Sequence, residues 1–403
     1  MQGDRICPHC GQMIPRGTAD CPICANRLGF NLRRETLLLV CLILLGILST
    51  ITAFGVKLYH AREKSLAEEW YAKGEANMRN GEPQDALTDF RTALYHAQGD
   101  AHYQLRLAQA LVRSGRLEEA RTYLLRLWES NPADGPVNLE LARLAEREGK
   151  IPQVISYYHN AIDGVWEQAS GNRPRALRQA LSEYLIAHNQ RSEALAELTA
   201  LSADTPDDPK LRTQMGELFL KAQDYDSALK QFQHALRLKR KQPDAWAGAG
   251  KAAFKMGDYR TARADLERSL AEDPRNKEAA HLLEVAKLVL EINPFDRFVP
   301  VKDRRHRVIL AFQDALARLQ SCAKAGGENL QASNPQTDLQ QLFAGAMKLK
   351  PQVNEASLRR NPDLQDSAMG LVSQIEQITA RECGPPQGVD LALLLIAKGG
   401  GAE

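Results

Sequence analysis

The pattern of hydrophobic and polar positions divides this chain into three regimes. Residues 36–56, TLLLVCLILLGILSTITAFGV, carry no charged side chain and lie between Glu35 and Lys57. At about 1.5 Å rise per residue a helix over this run reaches roughly 30 Å, the thickness of a bilayer's hydrocarbon core. The run predicts a single membrane-spanning helix, which sets a head (residues 1–35) apart from a long body. Residues 57–66 read as a linker or an extension of that helix. From residue 67 to residue 276 apolar side chains recur at helical spacing, with small residues at fixed intervals, and the whole set returns every 34 residues. Residues 277–294 predict one more helix, covering the last apolar face of the array and ending at Asn293-Pro294. Helical periodicity continues beyond this point without the 34-residue register. Val308, Phe312, Ala315, Leu319 and Cys322 share one face, and Ala368, Val372, Ile375 and Thr379 another. Residues 295–403 therefore read as a small helical domain, and the apolar run 389–397 is too short to span a membrane.

Composition sharpens this picture only a little. The chain of 403 residues is 44% hydrophobic and 25% charged, the balance of an ordinary globular protein. Aromatic residues make up 6%, while the body is rich in Ala, Leu, Glu, Arg and Gln, all strong helix formers. The predicted fold class is all-α. With 52 basic against 50 acidic residues the net charge is +2, so no global field draws the protein toward nucleic acid.

Six units fill residues 67–276. The first has Trp70, Gly74, Ala86, Phe90 and Ala93; the second Leu107, Ala108, Leu111, Ala120, Leu124 and Pro132. The third has Leu141, Ala142, Ala145, Tyr158 and Ala161, with Val154 in place of a small residue. After a six-residue insertion containing Gly171 and Pro174, the fourth offers Leu181, Leu185, Ala194 and Leu198, with Ser182 at the crossing. The fifth shows Met215, Gly216, Phe219, Ala228, Phe232 and Ala235, and the sixth Trp246, Gly250, Ala253, Ala262, Leu266 and Pro274. At this spacing the units resemble the tetratricopeptide repeat. The resemblance implies a helical solenoid whose first helices line a groove for a protein or peptide partner. The groove positions are then Tyr71 and Glu75, Leu105 and Gln109, Leu139 and Arg143, Gln179 and Glu183, Thr213 and Glu217, and Ala247 and Lys251. The Lys and Asn pairs with which the chaperone-tail version of this family holds a peptide carboxylate are absent from these places.

The head reads CPHCGQMIPRGTADCPIC, two CxxC pairs separated by ten residues. Such knuckles turn both sulfurs of each pair toward one ion, so Cys7, Cys10, Cys21 and Cys24 predict a closed, structural four-thiolate Zn²⁺ site. Two disulfides, or an iron site with the same thiolates, are the alternatives. Over residues 5–26 the head resembles the zinc-ribbon family. Its arginines Arg5, Arg16 and Arg27 are scattered without interleaved aromatics, which argues against a nucleic-acid surface.

Basic residues flank the span almost equally, Arg27, Arg33 and Arg34 before it and Lys57, Arg62 and Lys64 after it, so charge does not orient it. Thiolate chemistry does: a four-Cys zinc site belongs in a reducing compartment, which places the head in the cytoplasm and the body outside. The reverse topology is the alternative. Cys322 and Cys383 are the body's only thiols, and in an exported body they are candidates for a disulfide. No Ser-His-Asp set, HExxH helix or nucleotide loop is visible; Gly248-Ala249-Gly250-Lys251 lacks the flanking Gly and Ser/Thr of a phosphate loop. The functional expectation is a non-enzymatic, membrane-anchored scaffold, with a transmembrane sensor of metal or redox state through the four-Cys head as the alternative. In its parts the chain also resembles bacterial envelope-assembly regulators, but there the metal module follows the repeats, so their function does not carry over; envelope assembly at the bacterial inner membrane is the expectation.

Overall fold

The computed structural model describes residues 5–15, 18, 20–24, 32–166, 173–332 and 334–399. Arg16, Arg27, Gly171 and the side chains of Arg33 and Arg34, named above, lie outside the described residues. The chain forms two units, Met1–Trp166 and Glu167–Glu403.

In the first unit, a two-stranded antiparallel hairpin, β1 (Arg5–Ile6) and β2 (Met13–Ile14), pairs Ile6 with Met13. The helix α1 (Leu32–Asn80) then runs for 49 residues without a break. Its apolar stretch is exposed throughout, whereas Ala67 and Met78 near its end are buried. One continuous helix thus carries both the run long and apolar enough to cross a membrane and the first helix of the array. It is followed by α2 (Pro83–His96), α3 (Ala101–Arg113), α4 (Leu117–Ser130), α5 (Gly135–Arg147) and α6 (Ile151–Ile162).

The second unit begins with α7 (Arg173–Ala187), α8 (Arg191–Ala203), α9 (Pro209–Lys221), α10 (Tyr225–Leu238), α11 (Pro243–Lys255) and α12 (Tyr259–Glu272). After α13 (Lys277–Ile292) come α14 (Val301–Ala325), α15 (Asp338–Leu349), α16 (Glu355–Arg360), α17 (Asp363–Glu382) and α18 (Gly388–Gly399). The last repeat and these helices share one core: Phe254, Leu266, Val285 and Val289 are buried with Val308, Phe312, Leu319, Val372 and Ile396.

Three local devices recur along the array. Side-chain oxygens of Asp100, Asp134 and Asp208 accept the N–H groups of Tyr103, Val137 and Leu211 and so cap first helices, while Asp224 and Asp258 do the same for α10 and α12. Between the two helices of each hairpin one residue adopts positive φ. It is Gly81, Gly115, Gly149 and Gly257 in four hairpins, and Asn189 (57°) and Gln223 (61°) in the others. Where the helices cross, small residues let the backbones approach: a Cβ on Gly74 would lie 2.6 Å from the Phe90 ring, and one on Gly216 2.7 Å from Phe232.

Among the terminal helices, Cys322 of α14 and Cys383, just past α17, form a disulfide with Cα atoms 5.6 Å apart. Beside it, Arg318 donates to the carbonyl of Gly384 (3.1 Å) and to Asp390 of α18 (3.2 Å). Buried in the same region, Glu376 of α17 has no hydrogen-bond partner for either carboxylate oxygen. Burial pushes its carboxyl up to about 8; the negative charges of Asp390 and Asp314 add to the shift and Arg318 opposes it. Of the basic residues that open α14, Lys302, Arg304, Arg305, His306 and Arg307, two arginines are engaged within the unit. Arg305 pairs with Glu355 at 3.0 Å, and Arg307 donates to the carbonyls of Leu290 and Asn293 at the end of α13.

Gln223→Gly relieves a left-handed backbone that a side chain disfavours, and raises unfolding free energy by about 1 kcal/mol, read by denaturant melts of the full chain. Because Glu376 keeps its proton to higher pH when folded, its contribution to stability is fully present below pH 4.5, declines as pH climbs from 4.5 to about 8, and is flat above that. Glu376→Gln removes that slope, an effect of a few kcal/mol at pH 8.5 that is visible in melts across the range.

Candidate metal centre and partner grooves

The hairpin of the head brings its first two cysteines together through a tight turn: the N–H of Cys7 bonds to the carbonyl of Gln12 at 2.8 Å, and that of Gly11, at φ 74°, to the carbonyl of Cys7 at 2.9 Å. Cys21 and Cys24 approach from the second knuckle. The Sγ atoms of Cys7 and Cys24, and of Cys10 and Cys21, stand 3.8 Å apart, and all four lie within 4.8 Å of one another. Tetrahedral ligation with metal–sulfur bonds of about 2.3 Å requires sulfurs about 3.8 Å apart, so this donor set fits a metal ion. Backbone N–H groups favour the thiolate form. Those of Cys24 and Ile23 draw the Cys21 thiol down to about 6, and those of His9 and Cys10 lower Cys7. His9 itself is exposed. Among the described residues, besides the cysteines only Ile14 fills the centre of the head, so apolar packing among them is a weak hold on it.

In the first unit, side chains on the first helices of successive repeats link into a polar chain. Tyr71 stacks on Tyr103 with ring centroids 5.1 Å apart, and its hydroxyl meets His102 Nε2 at 2.9 Å. Arg106 bonds to both Glu75 and Gln109. Gln109 in turn donates to Glu140 at 3.0 Å, and Arg143 donates to the same carboxylate at 2.6 Å. Leu105 and Leu139 are half-buried nearby. An open cavity of about 430 Å³ lies between α3 and α5, lined by Arg106, Gln109, Arg113, Glu140, Arg143, Glu146 and Arg147, with Val112 at its base.

In the second unit, Glu217, Ala247 and Lys251 meet around another open cavity, of about 390 Å³, with Lys221, Asp244 and Glu278. Lys251 forms an ion pair with Glu278. Gln179 and Glu183 bond to each other along α7 at 3.0 Å. Thr213 is buried, its hydroxyl donating to Pro209 and meeting Gln242. Gly248 and Gly250 face Phe232 and Leu266, where a Cβ would collide, so the glycine-rich fragment is a packing feature.

Sequence reading by fixed register missed Arg106 and Glu140, which tie the predicted residues together. Their signal was available: they occupy one register 34 residues apart with opposite charge. Glu278 was missed because it belongs to α13, outside the repeats.

Models of the tetratricopeptide repeat family match residues 77–144, 177–245 and 219–292. Over those residues the helix hairpins match the tetratricopeptide repeat. Such repeats mediate protein–protein contact. A curated relative, the cellulose synthase operon protein C of Komagataeibacter xylinus, is 29% identical over 188 residues, which is 42% of this chain and 14% of that protein. The chain therefore spans about one seventh of the relative's length. Among solved structures, the tetratricopeptide protein YrrB, described as having an unusual peptide-binding site, is 19% identical and covers 48% of this chain and 96% of its own (TM-score 0.36). The type IV pilus biogenesis factor PilW is 16% identical over 54% and 98% (0.37). The C-terminal part of a repeat protein from Cytophaga hutchinsonii is 13% identical over 59% and 93% (0.43).

Proposed function

We propose that this protein is a non-enzymatic, membrane-anchored adaptor whose tetratricopeptide array takes a protein segment, acting in the assembly of a bacterial envelope. The observation that carries the reading is the continuity of α1, in which an exposed apolar run becomes the first helix of a partner-binding array without an intervening loop. An array built this way is held at the bilayer surface, where a scaffold for envelope components is needed. The relative named for a cellulose synthase operon points the same way. The head lies in the cytoplasm of this reading and the array outside the inner membrane. A thiolate cluster on one side of the span and the Cys322–Cys383 disulfide on the other support that orientation, since they suit a reducing and an oxidising compartment respectively.

In the head, Cys7, Cys10, Cys21 and Cys24 would hold Zn²⁺ as a structural crosslink. Four thiolates leave no position open for substrate, so the ion supplies folding energy and not chemistry. Full-length protein is expected to contain one zinc per chain by mass spectrometry of the metal. Cys10→Ser loses most of it, while the thermal melt of the array is unchanged.

The adaptor reading is tested by affinity capture of the tagged full-length protein from its native membrane, with each co-captured protein quantified. In a Glu217→Arg/Lys251→Glu variant at least one envelope partner is expected to fall by about tenfold or more, with membrane anchoring intact. A partner set untouched by the variant overturns the groove as the binding surface, and ribosomal or transcription partners for the body overturn the topology.

A further inference from the structure

Arg79, Arg113 and Arg147 occupy one register, each 34 residues from the next, in the last turns of α1, α3 and α5. A cation at such a place complements the carbonyl end of its own helix, and that role alone asks for no ligand. Here the surroundings go further. All three side chains belong to exposed residues, and Arg113 and Arg147 line the cavity of about 430 Å³ between α3 and α5. Every carboxylate in and beside that cavity is already engaged: Glu75 by Arg106, Glu140 by Arg143 and Gln109, and Glu146 by the hydroxyl of Tyr158 at 2.8 Å. Among the described residues no carboxylate pairs with Arg79, Arg113 or Arg147; Arg113 donates only to the carbonyl of Met78, at 3.3 Å. The face therefore carries a surplus of guanidinium, spread over three successive repeats.

We infer that the first three repeats bind an acidic, extended protein segment, whose Asp or Glu side chains pair with Arg113 and Arg147 and, one repeat earlier, with Arg79. The inference rests on the adaptor reading and specifies the partner's chemistry at one end of the array. Guanidinium forks suit carboxylates, which they hold with two parallel charge-assisted bonds. The spacing decides between kinds of anion. A small anion needs donors converging on one point, whereas these are set out at the period of the repeats, as a chain of carboxylates needs. The rings that adjoin this face among the described residues are no exposed platform for bases: Tyr158, bonded to Glu146, is buried, and Tyr71 is stacked on Tyr103 and meets His102.

The test uses the full chain in nanodiscs of zwitterionic lipid and a fluorescein-labelled oligoglutamate peptide, read by anisotropy. Oligoglutamate is expected to bind more tightly than oligoglutamine of equal length, and to weaken as salt rises. Arg113→Gln/Arg147→Gln weakens binding by about tenfold or more, and Arg113→Lys/Arg147→Lys restores part of it. Neutralising Lys239, Arg240 and Lys241 to Gln, a basic run elsewhere on the array, leaves binding unchanged. Equal affinity for the two peptides, or an Arg113→Gln/Arg147→Gln variant that binds like the parent, overturns the inference. So does oligothymidylate bound as tightly as oligoglutamate through the same arginines, which would make the face a general anion surface. The two readings fail separately: if Glu217→Arg/Lys251→Glu strips the captured partner while the arginine variant changes nothing, the adaptor stands and the acidic segment falls.

Discussion

The array depends on one steric constraint, the close approach of paired helices. At Gly74 against Phe90, Gly216 against Phe232 and Gly250 against Leu266, the absence of a Cβ leaves the space that a large side chain then fills. At Phe232 the crossing also reaches the following repeat, since a Cβ on Gly248 of α11 would lie 2.3 Å from the same ring. Groove geometry is thus decided in the core, several ångströms beneath the residues that would meet a partner.

Much of this was legible in the sequence because it obeys periods. The apolar run 36–56, the 34-residue register and the two CxxC pairs each impose a spacing that one chain suffices to show. The turn between paired helices is also periodic, yet its left-handed residue is Gly in four hairpins and Asn189 or Gln223 in two, so composition conceals what the backbone repeats. What sequence does not carry is the pairing of polar side chains. Gln109 and Arg143 were readable as groove residues, but not that both would be drawn onto Glu140, since that depends on rotamers and on the curvature between repeats. Thr213 shows the reverse limit: its register places it with the groove residues, and its hydroxyl turns inward to Pro209 and Gln242.

The two units handle charge differently. In the first, the carboxylates at the cavity between α3 and α5 are engaged, and the exposed Arg79, Arg113 and Arg147 have no acidic partner among the described residues. Among the terminal helices of the second, the Glu376 carboxyl is buried with no hydrogen-bond partner, beside Arg318, which is already committed to Asp390 and to the Gly384 carbonyl. A hydrophobic residue at 376 would pack such a core more cheaply. The cost of Glu376 falls where α14, α17 and α18 meet, next to the Cys322–Cys383 crosslink that holds two of those segments together.

The unbroken course of α1 joins its apolar run to the first hairpin as one shaft. With no loop between residue 56 and the first buried position of the array, Ala67, any rotation of that run about its axis passes directly to the first hairpin. One residue added or removed between residues 57 and 66 would turn that hairpin by about 100° and shift it by about 1.5 Å relative to the apolar run. With the run anchored in a bilayer as proposed, the length of this short stretch sets the compass bearing at which the first repeats look out along the membrane.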